Sequence, residues 1–183
     1  VVPKYSVFVK TLSRISDVYV GFFRGTPMVV QLLLVYYVLL PAMGVLIDSA
    51  VVVAVVVFGL NSGAYVSEIM RSGINSVDQG QLEAGRALGL SYPTAMLRIV
   101  IPQAIKNILP ALGNEMITLL KDTSLVSVIS LRDVTKQAQN IVANTYQAYV
   151  PFICLALIYL VLVIILTKLL GILERRLRAS DRR

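Results

Sequence analysis

The sequence predicts an all-α protein: a polytopic membrane helix bundle with four spans. Two observations predict it. The composition is 57% hydrophobic and only 15% charged, with a mean hydropathy of +0.78, and soluble domains carry roughly 25% charge. Charges are also absent between Arg24 and Asp48, between Asp48 and Glu68, and between Lys136 and Lys168. A helix needs about 20 apolar residues to cross the hydrocarbon core. In lipid a lone strand leaves its backbone unsatisfied, so Val51 to Val57 reads as helix although β-branched.

The basic balance, +7 overall, does not point to nucleic acid. Arg175, Arg176, Arg178, Arg182 and Arg183 cluster after Gly171 with no interleaved aromatics to stack bases. Such a cluster suits a cytoplasmic terminus. Cys154 is the single cysteine and histidine is absent, which excludes internal disulfides and the usual zinc and haem sites. Val1-Val2-Pro3-Lys4 lacks an initiator Met and does not open a signal peptide. A fragment or a processed product is therefore expected.

Residues 4–20 set Lys4, Lys10, Arg14 and Asp17 against Phe8, Leu12 and Ile15 at helical spacing. They predict an amphipathic interfacial helix, or else the remnant of a longer upstream one. Span A runs from about Gly25 to Leu40, with Thr26-Pro27 as N-cap and first helical residue and Pro41 and Gly44 as its end. Gln31 is its one strong polar group, and Asp48-Ser49 marks a short loop. Span B runs from about Ala50 to Met70, and its second half sets Asn61, Tyr65, Glu68 and Ser72 on one face. Residues 71–106 hold Arg71, Arg86, Arg98 and Lys106 and predict a water-exposed insert of short helices, with Asn75 to Asp78 and Ser91-Tyr92-Pro93 as turn and cap signals. Span C covers about Ala111 to Ile129, residues 131–149 form a polar loop, and span D covers about Tyr149 to Leu170. The loop between A and B has no Lys or Arg, so the insert and both ends are expected in the cytoplasm. Residues 1–183 are expected to form a single transmembrane domain, with 171–183 a basic tail.

Span C carries Glu115, Lys121 and Asp122, and a charge at the bilayer centre costs about 2.5–3.5 kcal/mol on insertion scales. Glu115, Thr118 and Asp122 share one helical face, and Asn114, Thr118 and Lys121 an adjoining one. With Asn61, Tyr65 and Glu68 they are candidates to line a polar path. The other reading of Lys121, Asp122 and Glu68 is an ion-pair network between helices. Gly21-xxx-Gly25 and Gly59-xxx-Gly63 read as helix packing, and Tyr36-Tyr37 as a helix face. Lys121 and Ser124 have the spacing of a hydrolase dyad, but nothing adjacent supplies an oxyanion hole. The chain is read as no enzyme.

Between spans B and C stands Gln81-Leu82-Glu83-Ala84-Gly85-Arg86-Ala87-Leu88-Gly89, then nine residues, then Ile99-Val100-Ile101-Pro102. This resembles the coupling-loop signature of ABC-importer permeases, in which Glu-Ala-Ala and a glycine precede Ile-x-Leu-Pro. Glu83, Ala84, Gly89, Ile99 and Pro102 match, while Gly85 stands for the second alanine and Ile101 for leucine. Arg24-Gly25-Thr26-Pro27, Asn61 to Tyr65, Gly113-Asn114-Glu115, Lys121 to Leu125 and Leu173 to Arg176 are similar to the polar amino acid uptake permeases. That family usually has five spans, so the first is expected to be missing here.

The resemblance implies a transport subunit of the bacterial inner membrane, working by alternating access. It implies a second permease, identical or related, two ATP-binding subunits, an extracytoplasmic amino-acid-binding protein and a polar amino acid as cargo. No phosphate-loop motif occurs, so no cofactor is expected in this chain, and ATP and Mg would be bound by the partner ATPase. Leu82, Glu83, Ala84, Gly85, Arg86, Leu88 and Gly89 would form the cytoplasmic coupling helix. Small residues would let it enter a groove, Glu83 would complement the helix dipole, and Leu82 and Leu88 would anchor it. The other reading is a capped helix packed on its own chain. A passive channel or scaffold without an ATPase is the alternative function.

Overall fold

The structure is a computed structural model that describes residues 3–45 and 49–179, with side chains for 7–45 and 49–175. Asp48, Arg182, Arg183 and the side chains of Lys4, Arg176 and Arg178 lie outside the described residues. The described residues contain helices and no strand. Three helices are long and apolar enough to cross a membrane: Ala50–Asn75, Tyr92–Ile129 and Tyr149–Arg175. A fourth crossing is reached if Val7–Gly25 and Met28–Ala42, bent by 104°, count as one span. The chain divides into two compact units, 1–65 with 122–155 and 66–121 with 156–183.

In the first unit, α1 (Pro3–Gly25) runs five residues beyond the end expected at 20. α2 (Met28–Ala42) starts at Pro27 as N-cap, not at Thr26. The Thr26 hydroxyl instead donates back to the Phe22 carbonyl, at 2.8 Å. Pro41 does not end α2 but lies within its last turn, after a π-helical segment at Val35–Leu39. A proline removes the bond to the carbonyl four residues earlier and clashes with it. Here that carbonyl belongs to Tyr37, inside the π segment, where Leu40 bonds Val35 instead. Gly44, at φ +66°, then closes the helix: Gly44 N–H reaches the Pro41 carbonyl and Val45 N–H the Leu40 carbonyl, a Schellman ending.

α3 (Ala50–Asn75) confirms the valine run as helix and extends the expected span B by five residues. Val53, Ala54 and Val57 turn inward, while Val51, Val52, Val55 and Val56 stay exposed. The inward set packs with Leu32 of α2 and with Val126 and Ile129. These last two lie in the 3₁₀ end, Thr123–Ile129, of the long helix α5 (Tyr92–Ile129), which stops at Ser130 in the left-handed region. The expected loop at 131–149 is a correction: it holds α6 (Val134–Thr145), capped by Asp133, whose Oδ1 accepts from Lys136 N–H at 2.8 Å. Its polar residues hid a helix because hydropathy reports solvent preference, not backbone conformation.

In the second unit the stretch 71–106 includes the ends of two long helices. Arg71 belongs to α3 and Lys106 to α5, leaving α4 (Gln79–Ala87) and its turns between them. α5 repeats the proline device of α2. A π segment at Met96–Val100 contains Arg98, whose carbonyl Pro102 cannot bond, and Ile101 N–H bonds Met96 instead. α7 (Tyr149–Ala179) continues through the first part of the basic tail as helix.

Helices in lipid gain little from hydrophobic burial, so close packing at small residues matters more. The glycines that matter are not all the ones expected. Among the described residues, nothing stands within 4 Å of where a Cβ would lie at Gly21, Gly25 or Gly59. A Cβ at Gly63 would stand 2.9 Å from the Tyr19 hydroxyl, one at Gly73 would run into Ile108, and one at Gly113 into Leu170 of α7. Gly59→Ala should therefore be neutral or stabilising by up to about 1 kcal/mol from helix propensity. Gly73→Ala should destabilise by about 1–3 kcal/mol through overpacking against Ile108. Thermal unfolding of the two variants in detergent checks the contrast.

Candidate functional site

The segment between α3 and α5 is built by local capping. Asp78 ends the turn after α3 and caps α4, its Oδ1 accepting from Gly80 N–H at 2.6 Å. Ser91 caps the start of α5 through Thr94 N–H at 3.4 Å, with Pro93 in the first turn. Between them Gly89, at φ +85°, closes α4 with a second Schellman ending: Gly89 N–H to Arg86 and Leu90 N–H to Gly85. The left-handed region costs an L-residue about 1–2 kcal/mol, which explains glycine there.

Gly85 is buried, and a Cβ there would stand 2.6 Å from Ile99 Cδ1 and 3.4 Å from Ala95 Cβ. Its smallness serves packing of α4 on the first turns of α5. Leu82 is half-buried and lines a cavity of about 250 Å³ with Ile74, Val77, Tyr92, Met96 and Val100. Gln103 Nε2 adds a bond to the Ile99 carbonyl at 2.9 Å and a longer one to Gln81 Oε1 at 3.4 Å. Asn107 reaches Ser76 Oγ at 2.8 Å, and Ser76 in turn donates to the Gly73 carbonyl. Glu83, Ala84, Arg86 and Ala87 are exposed, and Leu88 is 84% exposed. Glu83 lies in the second turn of α4, so the dipole at its start is met by Asp78 instead.

The candidate path residues fare differently. Asn61 is 6% exposed, and its amide donates to the Phe23 carbonyl and to Gln31 Oε1, both at 3.0 Å. Tyr65 is half-buried, with the Arg24 guanidinium 5.4 Å from its ring centroid. Glu68, half-buried, pairs with the exposed Arg71 at 3.3 Å within α3. On α5, Asn114, Thr118 and Lys121 are exposed and Glu115 and Asp122 half-buried. Thr118 returns its hydroxyl to the Asn114 carbonyl at 3.2 Å, while Glu115, Lys121 and Asp122 each have an interaction partner.

Residues 6–179 match the family described as binding-protein-dependent transport system inner membrane component. The chain belongs to that family. It is similar to the arginine transport system permease protein ArtQ of Bacillus subtilis (strain 168), 49% identical over 91% of this chain and 76% of the relative. It is 42% identical to the L-cystine permease protein TcyB of the same organism, over 92% of this chain and 72% of that one. To the glutamine permease protein GlnP of Escherichia coli (strain K12) it is 38% identical, over 91% and 76%. A solved structure titled as an amino acid ABC transporter with histidines superimposes with a TM-score of 0.87 at 47% identity, covering 92% of this chain and 78% of that one. This permease is thus a multi-pass membrane protein of a transport family, which leaves the Lys121–Ser124 hydrolase reading without support.

Sequence reasoning set Gln31 aside as a lone polar group and overlooked its pairing with Asn61. The signal was present: a carboxamide in each of two apolar spans needs a partner. Which carbonyl they share could not be read from spacing. In the permease's exposed segment, Gly89→Ala should cost about 1–2 kcal/mol through the left-handed region, and Gly85→Leu should cost more by displacing α4 from Ile99. Limited proteolysis between Asp78 and Ser91, compared at equal insertion, reads the difference.

Proposed function

We propose that this chain is the transmembrane subunit of an ATP-driven importer that carries a polar amino acid across the bacterial cytoplasmic membrane by alternating access. The observation that carries the reading is the α4 segment: a rigidly capped, outward-facing helix between two apolar ones, in a family member whose relatives are named as arginine, cystine and glutamine permeases. A channel or scaffold has no use for such a device.

In this reading two permease subunits, identical or related, stand on two ATP-binding subunits that hold ATP and Mg, and an extracytoplasmic binding protein delivers the cargo. The ends of the chain and the α4 segment face the cytoplasm. The surface offered to the ATPase is Glu83, Ala84, Arg86, Ala87 and Leu88, while Leu82, Gly85 and Gly89 shape and seat the helix. Because α4 is seated on Ala95 and Ile99, a push on it is delivered to the start of α5, the helix that carries Asn114, Glu115, Thr118, Lys121 and Asp122. Those residues, with Tyr65 and Glu68 on α3, remain the candidates for the path. Asn61 is better suited to holding helices, since both hydrogens of its amide are committed.

Glu83→Arg and Leu88→Asp should each abolish ATP-driven uptake in proteoliposomes at unchanged permease content. Normal uptake by both would remove the coupling role. Glu115→Gln should shift the ratio of cationic to neutral amino acid uptake by about tenfold, the scale of one charge-assisted hydrogen bond. A labelled amino acid panel measures it, and an unchanged ratio would leave Glu115 a packing residue.

A further inference from the structure

The turn between α1 and α2 is bent by 104°, and its backbone is satisfied in an unusual way. The last four carbonyls of a helix lack partners within it. At the end of α1, Thr26 Oγ1 donates to the Phe22 carbonyl. The Phe23 carbonyl accepts twice, from Gln31 Nε2 at 2.9 Å and from Asn61 Nδ2 at 3.0 Å. Gln31 Nε2 also lies 3.0 Å from the Thr26 carbonyl and 2.8 Å from its hydroxyl. The second hydrogen of Asn61 goes to Gln31 Oε1. Both amides are buried, at 3% and 6% exposure. The Phe23 carbonyl at the end of α1 is therefore capped by side chains of α2 and α3.

Two further contacts join α1 to the same stretch of α3. The Tyr19 hydroxyl donates to the Leu60 carbonyl, and the Arg24 guanidinium lies over the Tyr65 ring. Opening the bend would strip buried amides of their partners, which apolar surroundings do not replace. We propose that this bend is a fixed joint rather than a hinge, and that Gln31 and Asn61 are positioning residues that clamp α1 and α2 to the first half of α3 as one body. The clamp stands on the hydrogen bonds alone; only its behaviour under nucleotide rests on the transport reading.

The test is a spin-label distance between exposed Val9 on α1 and exposed Val55 on α3, in the full chain in liposomes with Cys154 replaced by serine. One narrow distance is expected. Asn61→Leu and Gln31→Met roughly keep size and carry no donor, so each should broaden the distribution, while Gly59→Ala should not. In the complex with its ATPase, trapping with a non-hydrolysable ATP analogue should leave the distance unchanged within about 2 Å, the scale of helix shifts at interfaces. A larger shift, a broad wild-type distribution, or narrow distributions in both donor-less variants would overturn the joint. Should those variants fail to insert, the wild-type width and the nucleotide arm still decide. Failure to recover any ATPase complex would count against the transport reading, and the nucleotide-free arms would still decide the joint.

Discussion

Two buried carboxamides, Gln31 and Asn61, set the geometry at the beginning of the chain. Between them they meet the Phe23 carbonyl at the end of α1, the Thr26 carbonyl in the turn after it, and each other. In water such an end could be solvated and the amides would add little. In an apolar medium each unmet polar group is costly. At the bend through Arg24-Gly25-Thr26-Pro27 the Phe23 and Thr26 carbonyls are met by these amides, and α2 leaves that bend with Leu32 directed into the core formed by Val53, Val57, Val126 and Ile129.

The same constraint explains the two π-helical segments. Pro41 and Pro102 each stand two residues after one, and in each case the residue just before the proline bonds the carbonyl five residues back. Widening the helix by one residue per turn lets the chain absorb a proline while remaining helical. Pro110 lies within α5 where no such segment occurs, and nothing in the structure explains the difference.

Glycine has three separate uses here. Gly44 and Gly89 supply left-handed helix ends. Gly63, Gly73, Gly85 and Gly113 admit a neighbouring side chain. Gly21, Gly25 and Gly59 meet no neighbour among the described residues. In the α4 segment the division has a functional meaning. The small residue at 85 faces the chain's own α5, and the outward surface is made by charged and small residues ending in Leu88. The reading of a helix seated on its own chain describes its inner face, and the outward face is the one proposed to meet a partner.

The helical class, the apolar spans, the caps at Asp78 and Ser91 and the glycine stop at Gly44 were legible in the sequence, because each depends on local chemistry or on a long apolar run. So was the signature from Glu83 to Pro102 that carries the family resemblance. Helix ends within polar stretches were not, and neither was α6, since hydropathy separates lipid from water and not helix from loop. Only the tertiary structure decided that Gly85 faces Ile99 and that Asn61 faces Gln31 and Phe23. Residues 30 or more apart meet through the angle of a bend and the rotation of a helix, and no spacing along the chain encodes either one.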